Sequence, residues 1–237
     1  MTILRTIIKR PLNAVGLDLV RYHPQYSIGQ YAYVASLNIE TVIDVGAHTG
    51  EFAKMIAEMM PGVSVLSFEP QQAEFAELEV NLRRIPNARA FKFALGDRNE
   101  TLDLHRSAFS QSSSLRTMTN LHKEAFPESA GESLEQVEVR RLDDVLSDLA
   151  ITPEILLKID AQGYEDKVLA GAPQTLARAK AAIIEVSFRE LYEGQPLFDS
   201  IYRTMHDAGF SYMGNLYQLV HPNDRSVLQA DALFVRL

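Results

Sequence analysis

Cysteine is absent from this chain of 237 residues. Its absence excludes structural disulfides, thiolate zinc sites, iron–sulfur ligation and a cysteine nucleophile. It also fits a reducing compartment, and the expected location is cytoplasmic. No run comes near the ~18 apolar residues that mark a membrane-spanning helix. Positive charge is in short supply: Lys and Arg number 23 against 31 Asp and Glu, a formal net charge of −8. A surplus of that sign repels phosphate backbones and argues against a nucleic-acid partner. Missing too are G-x-S-x-G, H-E-x-x-H and the EF-hand loop. His105, His122, His206 and His221 share no metal-ligand spacing, and only His122 is a candidate base.

What remains is ordinary globular composition, 46% hydrophobic and 23% charged, which rules out a disordered or collagen-like chain. With no internal repeat and no linker visible, one α/β domain is more economical than two. From Thr41 on, short β-branched runs alternate with helical stretches. Thr41–Val45, Val63–Phe68 and Arg89–Leu95 read as strands. Helices carried by Phe52 and Ile56, and by Phe75, Leu78 and Leu82, fall between them. That order is the signature of parallel βαβ units. Thr101–Arg106 and Val137–Arg141 read as two further strands. The insertion between them, 107–136, is polar and too long for an ordinary connection; it reads as a lid or substrate-shaping element, or as a solvated excursion. Strands at 155–160 and 181–186 resume the alternation. Phe210–Val220 and Val227–Val235 end it as an antiparallel pair.

Ahead of this body, segment 1–40 reads as helical, basic and amphipathic. Met1–Tyr22 carries Arg5, Lys9, Arg10 and Arg21 against Asp18 alone, with Leu4, Ile8, Leu12, Val15 and Leu19 at helical spacing. Lys9, Arg10 and Pro11 interrupt any signal-peptide core. The segment is expected to pack on the body or on another subunit of a homo-oligomer; peripheral membrane contact is the alternative.

The chemistry concentrates at strand ends. The first βα turn, Asp44-Val45-Gly46-Ala47-His48-Thr49-Gly50, belongs where a ligand crevice opens at the carboxyl edge of such a sheet. Gly46 and Gly50 admit close backbone approach. The turn is neither G-x-G-x-x-G nor a phosphate loop, so it suits a ligand without phosphates, and S-adenosyl-L-methionine (AdoMet) is one. Glu69, in Phe68-Glu69-Pro70, ends the second strand and is placed to accept two ribose hydroxyls. Ala94-Leu95-Gly96-Asp97 offers a third strand end, where an adenine ring would lie. Asp160, Glu165 and Glu185 then fall on the same rim. They could remove a proton from an acceptor hydroxyl, or hold a hard cation such as magnesium. Alternatively, Asp160 and Glu165 only cap the following helix. Lys158 is expected to pair with a carboxylate.

Taken in order, Val42 to Gly50, Ser67 to Pro70, Ala94 to Asp97, Arg141 to Asp144 and Leu157 to Glu165 resemble the FkbM-type AdoMet-dependent methyltransferases. Leu191 to Pro196 and Asp231 to Arg236 extend the resemblance almost to the C-terminus. The resemblance implies a class I methyltransferase domain over 41–237. Its fold would be α/β, a Rossmann-like seven-stranded sheet with a reversed terminal strand and helices on both faces. It implies methyl transfer to a hydroxyl of a sugar, glycan, polyketide or related small molecule; an AdoMet-binding scaffold without turnover is the alternative. On this reading Asp44, Gly46, Ala47, His48, Gly50, Glu69, Pro70, Leu95, Gly96, Asp97 and Asp160 serve the cofactor, and Asp160 and Glu185 the chemistry. Two departures stand out: His48 where many relatives have Asn, and Ala161-Gln162 where many have Val-Glu. The second removes an acid, so magnesium is possible but not favoured and no metal ligand is assigned.

Overall fold

The computed structural model describes residues 31–149 and 151–237. The amphipathic stretch Met1–Tyr22 lies outside them. At the described end of segment 1–40, helix α1 (Ala32–Ala35) follows Tyr31. Tyr31, Val34 and Ile39 are buried in one cluster with Val42 and Phe52, so this end belongs to the core of the α/β body.

The chain then runs through β1 (Thr41–Val45), α2 (Glu51–Met59), β2 (Ser64–Phe68), α3 (Gln72–Leu82) and β3 (Ala88–Phe91). Next come β4 (Ala94–Leu95), β5 (Glu100–Ser107), α4 (Asn120–Ala125), β6 (Glu132–Arg140) and α5 (Leu142–Ser147). The last part holds β7 (Ile155–Ile159), α6 (Glu165–Ala170), α7 (Pro173–Arg178), β8 (Ala179–Ser187), α8 (Phe198–Asp207), β9 (Ser211–Val220) and β10 (Val227–Val235). Seven strands form the central sheet in the order β3-β2-β1-β7-β8-β10-β9. All neighbours are parallel except β10, which runs antiparallel to both β8 and β9.

The sequence explains this order. Every residue of β1 and β7 is buried, and their runs TVIDV and ILLKI lack polar alternation, as strands covered on both faces do. The final hairpin could in principle insert either strand beside β8. β10 carries the buried Leu228, Ala230, Ala232 and Phe234, whereas β9 is half-exposed along its length. The more apolar strand therefore takes the inner position and β9 becomes the edge. Alternating residues divide the core between the faces. Ile43, Leu157, Ile159 and Ile184 face Leu142, Val168, Leu176 and Met205 of α5 to α8. Val42, Leu156 and Ile183 face Phe52, Ile56, Leu78 and Leu82 of α2 and α3.

Two expectations are corrected here. Arg89–Leu95 is not one strand: β3 stays in the central sheet, and β4 leaves it to pair with β6 in a second, three-stranded sheet. The break falls where the Phe68 ring packs on both Phe91 and Phe93, at 4.8 and 5.6 Å between centroids, holding the chain as it turns away. The second strand of the ribbon begins at Glu132 rather than Val137, paired to Ser107. Residues 132–136 are solvated, so no apolar period marks them.

The true excursion is therefore 108–131, and it packs rather than floats. Met118, Ala125, Leu191, Tyr192 and Leu228 form a small core of their own beneath it. The Thr119 N–H donates to the Leu191 carbonyl at 2.9 Å, and the Ser114 hydroxyl to the Gln162 carbonyl at 2.6 Å.

One buried carboxylate ties two helices together. Helix α7 opens on Ala172 with no side-chain cap of its own. Asp143 of α5 supplies it, accepting from the Gln174 N–H (2.8 Å), the Thr175 N–H (2.9 Å) and the Thr175 hydroxyl (2.7 Å). Asp143→Ala is expected to cost about 1–3 kcal/mol, because three donors lose their acceptor. Urea unfolding measures this, and an unchanged midpoint would show that the cap is dispensable.

Candidate active site

A cavity of about 420 Å³ opens at the carboxyl ends of β1, β2, β7 and β8, roofed by 109–128. Small-molecule sites typically span ~300–1,000 Å³. Gly46, Ala47, His48, Glu69, Pro70, Leu95, Asp160 and Glu185 all line it. The other four residues assigned from the sequence do not. Asp44 lies fully buried beneath the wall. Gly50 starts α2 at φ +90° and abuts Leu78. Gly96 is packed under Val139 and Tyr164. Asp97 faces Lys167 at 2.9 Å, and that bond holds its carboxyl below the usual range.

The first wall is built by the β1 turn. Gly46 has φ +75°, and a Cβ there would overlap the Asp160 carbonyl oxygen. Only glycine lets the β1 and β7 turns touch. The next residues turn so that the His48 N–H donates to Glu69 Oε2 at 2.9 Å. His48 is itself left-handed, φ 48°, and its Nε2 lies 2.8 Å from the Ser110 hydroxyl, tying turn to roof. Glu69 Oε1 accepts from the Gln71 N–H, also at 2.9 Å. Glu69 is only 3% exposed. Burial pushes its pKa up to about 7 despite these donors.

The opposite wall is a chain of polar side chains. Lys158 Nζ stands 3.6 Å from Asp44 Oδ1 and 3.3 Å from Asp160 Oδ2, so the expected pairing is to two carboxylates at once. Burial raises the Asp44 pKa, and Lys158 draws it back. Asp160 is half-buried and open to the cavity. Its Oδ1 accepts from Gln162 Nε2 at 2.8 Å. The same nitrogen reaches Glu185 at 3.0 and 3.2 Å, and Gln229 Nε2 donates to Glu185 Oε2 at 2.9 Å. Burial, then the charge of Asp160, drives the Glu185 pKa well up. Glu165 does not join this rim. It sits under the turn and accepts from the Ala161 and Gly163 N–H groups, both at 3.0 Å, so it holds the turn that precedes α6 and makes no side-chain cap on the helix itself. His122 lines the cavity as a neutral imidazole between Phe126 and Tyr192, its pKa pushed down to about 4 by burial. Among the described residues, no group of three His, Asp or Glu side chains is arranged to hold a metal ion.

Asp231, Gln229 and Tyr217 complete the far wall, and sequence reading gave them no role. Asp231 carried a signal: it is a lone acid inside the apolar run 230–235, and the β8–β10 register sets it opposite Glu185. Burial lifts its pKa to about 6.

The strand order with β10 reversed, and a ligand-sized cavity at the carboxyl edge, define a class I AdoMet methyltransferase fold. The family model described as Methyltransferase FkbM domain matches residues 44–212. The chain belongs to the FkbM methyltransferase family. It is 31% identical over 161 residues to the 2-O-methyltransferase NoeI of Sinorhizobium fredii, covering 65% of this chain and 66% of that protein. It is 32% identical over 155 residues to the 31-O-demethyl-FK506 methyltransferase FkbM of Streptomyces tacrolimicus, covering 56% and 59%. The chain thus spans less than two thirds of these relatives. Among solved structures, the methyltransferase FkbM of Methylobacillus flagellatus KT superposes with a TM-score of 0.51 at 16% identity, over 83% of this chain and 43% of that one. That likeness concerns the fold. Among the described residues, no helix is long and apolar enough to cross a membrane.

The buried acids make stability depend on pH with a definite sign. Unfolded, Glu69 releases its proton near 4.5; folded, it keeps it to about 7. Between those values the native state binds more protons, so stability falls as pH rises through the window. Glu69→Gln removes that titration, so its stability should change less with pH across the same window, although its one amide oxygen can serve just one of the two backbone donors. Urea unfolding at pH 5, 6 and 7.5 measures both slopes, and identical slopes would remove Glu69 as a source.

Proposed function

We propose that the chain transfers the methyl group of AdoMet to a hydroxyl oxygen of a small-molecule or glycan acceptor. One observation carries this reading: a single cavity joins the Gly46–Glu69 wall to the Asp160–Glu185 wall. The residues present fit the cofactor. Glu69 offers a carboxylate fixed by two backbone donors and suited to a pair of ribose hydroxyls, Pro70 and Leu95 give apolar surface beside it, and no phosphate-binding loop is present.

Bound AdoMet would supply an electrophilic methyl carbon on a good leaving group. The protein's part is then alignment and proton removal. Lys158 Nζ and Gln162 Nε2 both reach Asp160, at 3.3 and 2.8 Å, and Asp160 opens to the cavity. Beside it, burial and then the charge of Asp160 raise the Glu185 pKa well above its ordinary value. Asp160, held by these two donors at the cavity wall, is the carboxylate placed to accept the acceptor's proton. Leu115 and Phe126 in the roof provide apolar cover over the cavity. The names of the two relatives, both O-methyltransferases, support oxygen as the methylated atom.

Calorimetry with S-adenosylhomocysteine (AdoHcy) tests the cofactor half. Wild type should bind, and Glu69→Ala should lose about 1.5–3 kcal/mol of binding energy, as expected for charge-assisted hydrogen bonds. No binding by folded wild type would sink the proposal. An AdoMet-consumption screen over sugars, glycans and polyketide alcohols finds the acceptor. On that acceptor, Asp160→Asn should cut turnover by about 10²–10⁴-fold with AdoHcy affinity nearly unchanged. Near wild-type turnover would take Asp160 out of proton transfer.

A further inference from the structure

Between Asp160 and Glu185 stands a neutral group, the Gln162 amide. Its nitrogen donates to Asp160 Oδ1 and to the Glu185 carboxylate, and its oxygen, 2.7 Å from the Tyr192 hydroxyl, accepts from it. Both ends of the amide are therefore in use. Tyr192 is fully buried, and its one hydroxyl proton is shared between Gln162 Oε1 and the Ser112 carbonyl, 3.0 Å away, so the phenol links the amide to the roof.

The backbone at Gln162 is left-handed, φ 50°, a conformation uncommon for a residue with a Cβ. It is held by the Ser114 hydroxyl on its carbonyl and by Gly163, where a Cβ would crowd Tyr192 and Gln195. Such strain persists only where the surroundings impose it, and it clusters at functional positions.

Carboxylates converging on one point ordinarily need a proton or a cation between them. The charged groups facing this pair are Lys158 on β7, Asp44 on β1, Asp231 on β10 and Glu165 on α6, with the phenol of Tyr192 above. Lys158 reaches Asp160 on Oδ2, while Gln162 holds Oδ1 and Glu185 together.

We propose that Gln162 is a positioning residue whose side-chain amide takes the place of a cation between Asp160 and Glu185 and holds Asp160 as a metal-independent proton acceptor. The identity of the proton donor rests on the methyl-transfer reading above; the amide bridge does not.

The test uses the full chain labelled with carbon-13 and follows the Asp160 and Glu185 carboxyl signals through a pH titration. Gln162→Ala deletes a donor to the charged form of Asp160, so its titration should move up by about one pH unit, at wild-type AdoHcy affinity. A merely structural residue would not move that signal. In parallel, manganese(II) binding is read by electron paramagnetic resonance. Wild type should show no bound manganese up to the highest concentration tested, while Gln162→Glu, which sets a third carboxylate at the same point, should show bound manganese at about a tenth of that concentration or less.

An Asp160 titration unmoved in Gln162→Ala overturns the proposal. So does manganese binding by wild type that Asp160→Asn abolishes, and this arm decides alone if the Gln162 variants fail to fold. Failure of wild type to bind AdoHcy would instead strike the methyl-transfer reading, with the carboxyl titration still deciding the role of Gln162.

Discussion

The seam between β1 and β7 is the constraint on which the site depends. The two strands pair in parallel with Asp44 opposite Lys158. That register buries a lysine between Asp44 below and Asp160 above. A charge so placed is tolerable only while its partners stay, and removing one of a buried pair commonly costs several kcal/mol. Just beyond, the Asp160 N–H donates to the Val45 carbonyl at 3.0 Å, and Gly46 lets the two turns close on each other. The turn that faces the proposed cofactor side of the cavity and the turn that carries the proposed base are therefore one unit. Neither can shift without breaking an ion pair or forcing an overlap.

Above this seam the chain accepts local cost for a defined cavity. His48 and Gln162 have left-handed backbones without being glycine, and both line the cavity. Glu69, Glu185 and Asp231 are acids whose burial opposes ionisation. A sequence selected for stability alone would have neutral or apolar groups there. The hydrogen bonds of these groups point one to another and leave Asp160 open to the ligand space.

The excursion 108–131 makes the site enclosed. It meets the body through Ser110 on His48, Ser112 on Tyr192 and Ser114 on Gln162. Arg116 adds paired bonds to Asp166, at 3.0 and 3.1 Å. Its abundance of serine, which in the sequence suits a solvated loop equally well, is the means by which the roof reaches both walls.

The fold class was legible in the sequence because strand and helix periods are local. Thr41–Val45, Ser64–Phe68 and Ile155–Ile159 announce themselves by β-branched and apolar runs, and the reversed final hairpin by its two runs and polar turn. Gly46, Glu69 and Asp160 were legible as residues of the cavity's rim because each follows the end of a strand, and strand ends of a parallel sheet converge. The division of Arg89–Leu95 between two sheets was not, since aromatic packing against Phe68 decides it. Nor could residue types tell that Asp97 and Glu165 turn away from the cavity while Asp231 turns in. The meeting of Gln162, Tyr192 and Glu185 depends on where β7, β8 and the 192–195 turn stand relative to one another. The sequence by itself determined the order of elements and the rim on which chemistry had to lie, because hydrophobic period and strand polarity act within a segment. Which carboxylates share a charge, and what neutral group stands between them, was decided only by tertiary structure, because electrostatic coupling depends on distance in space and on burial.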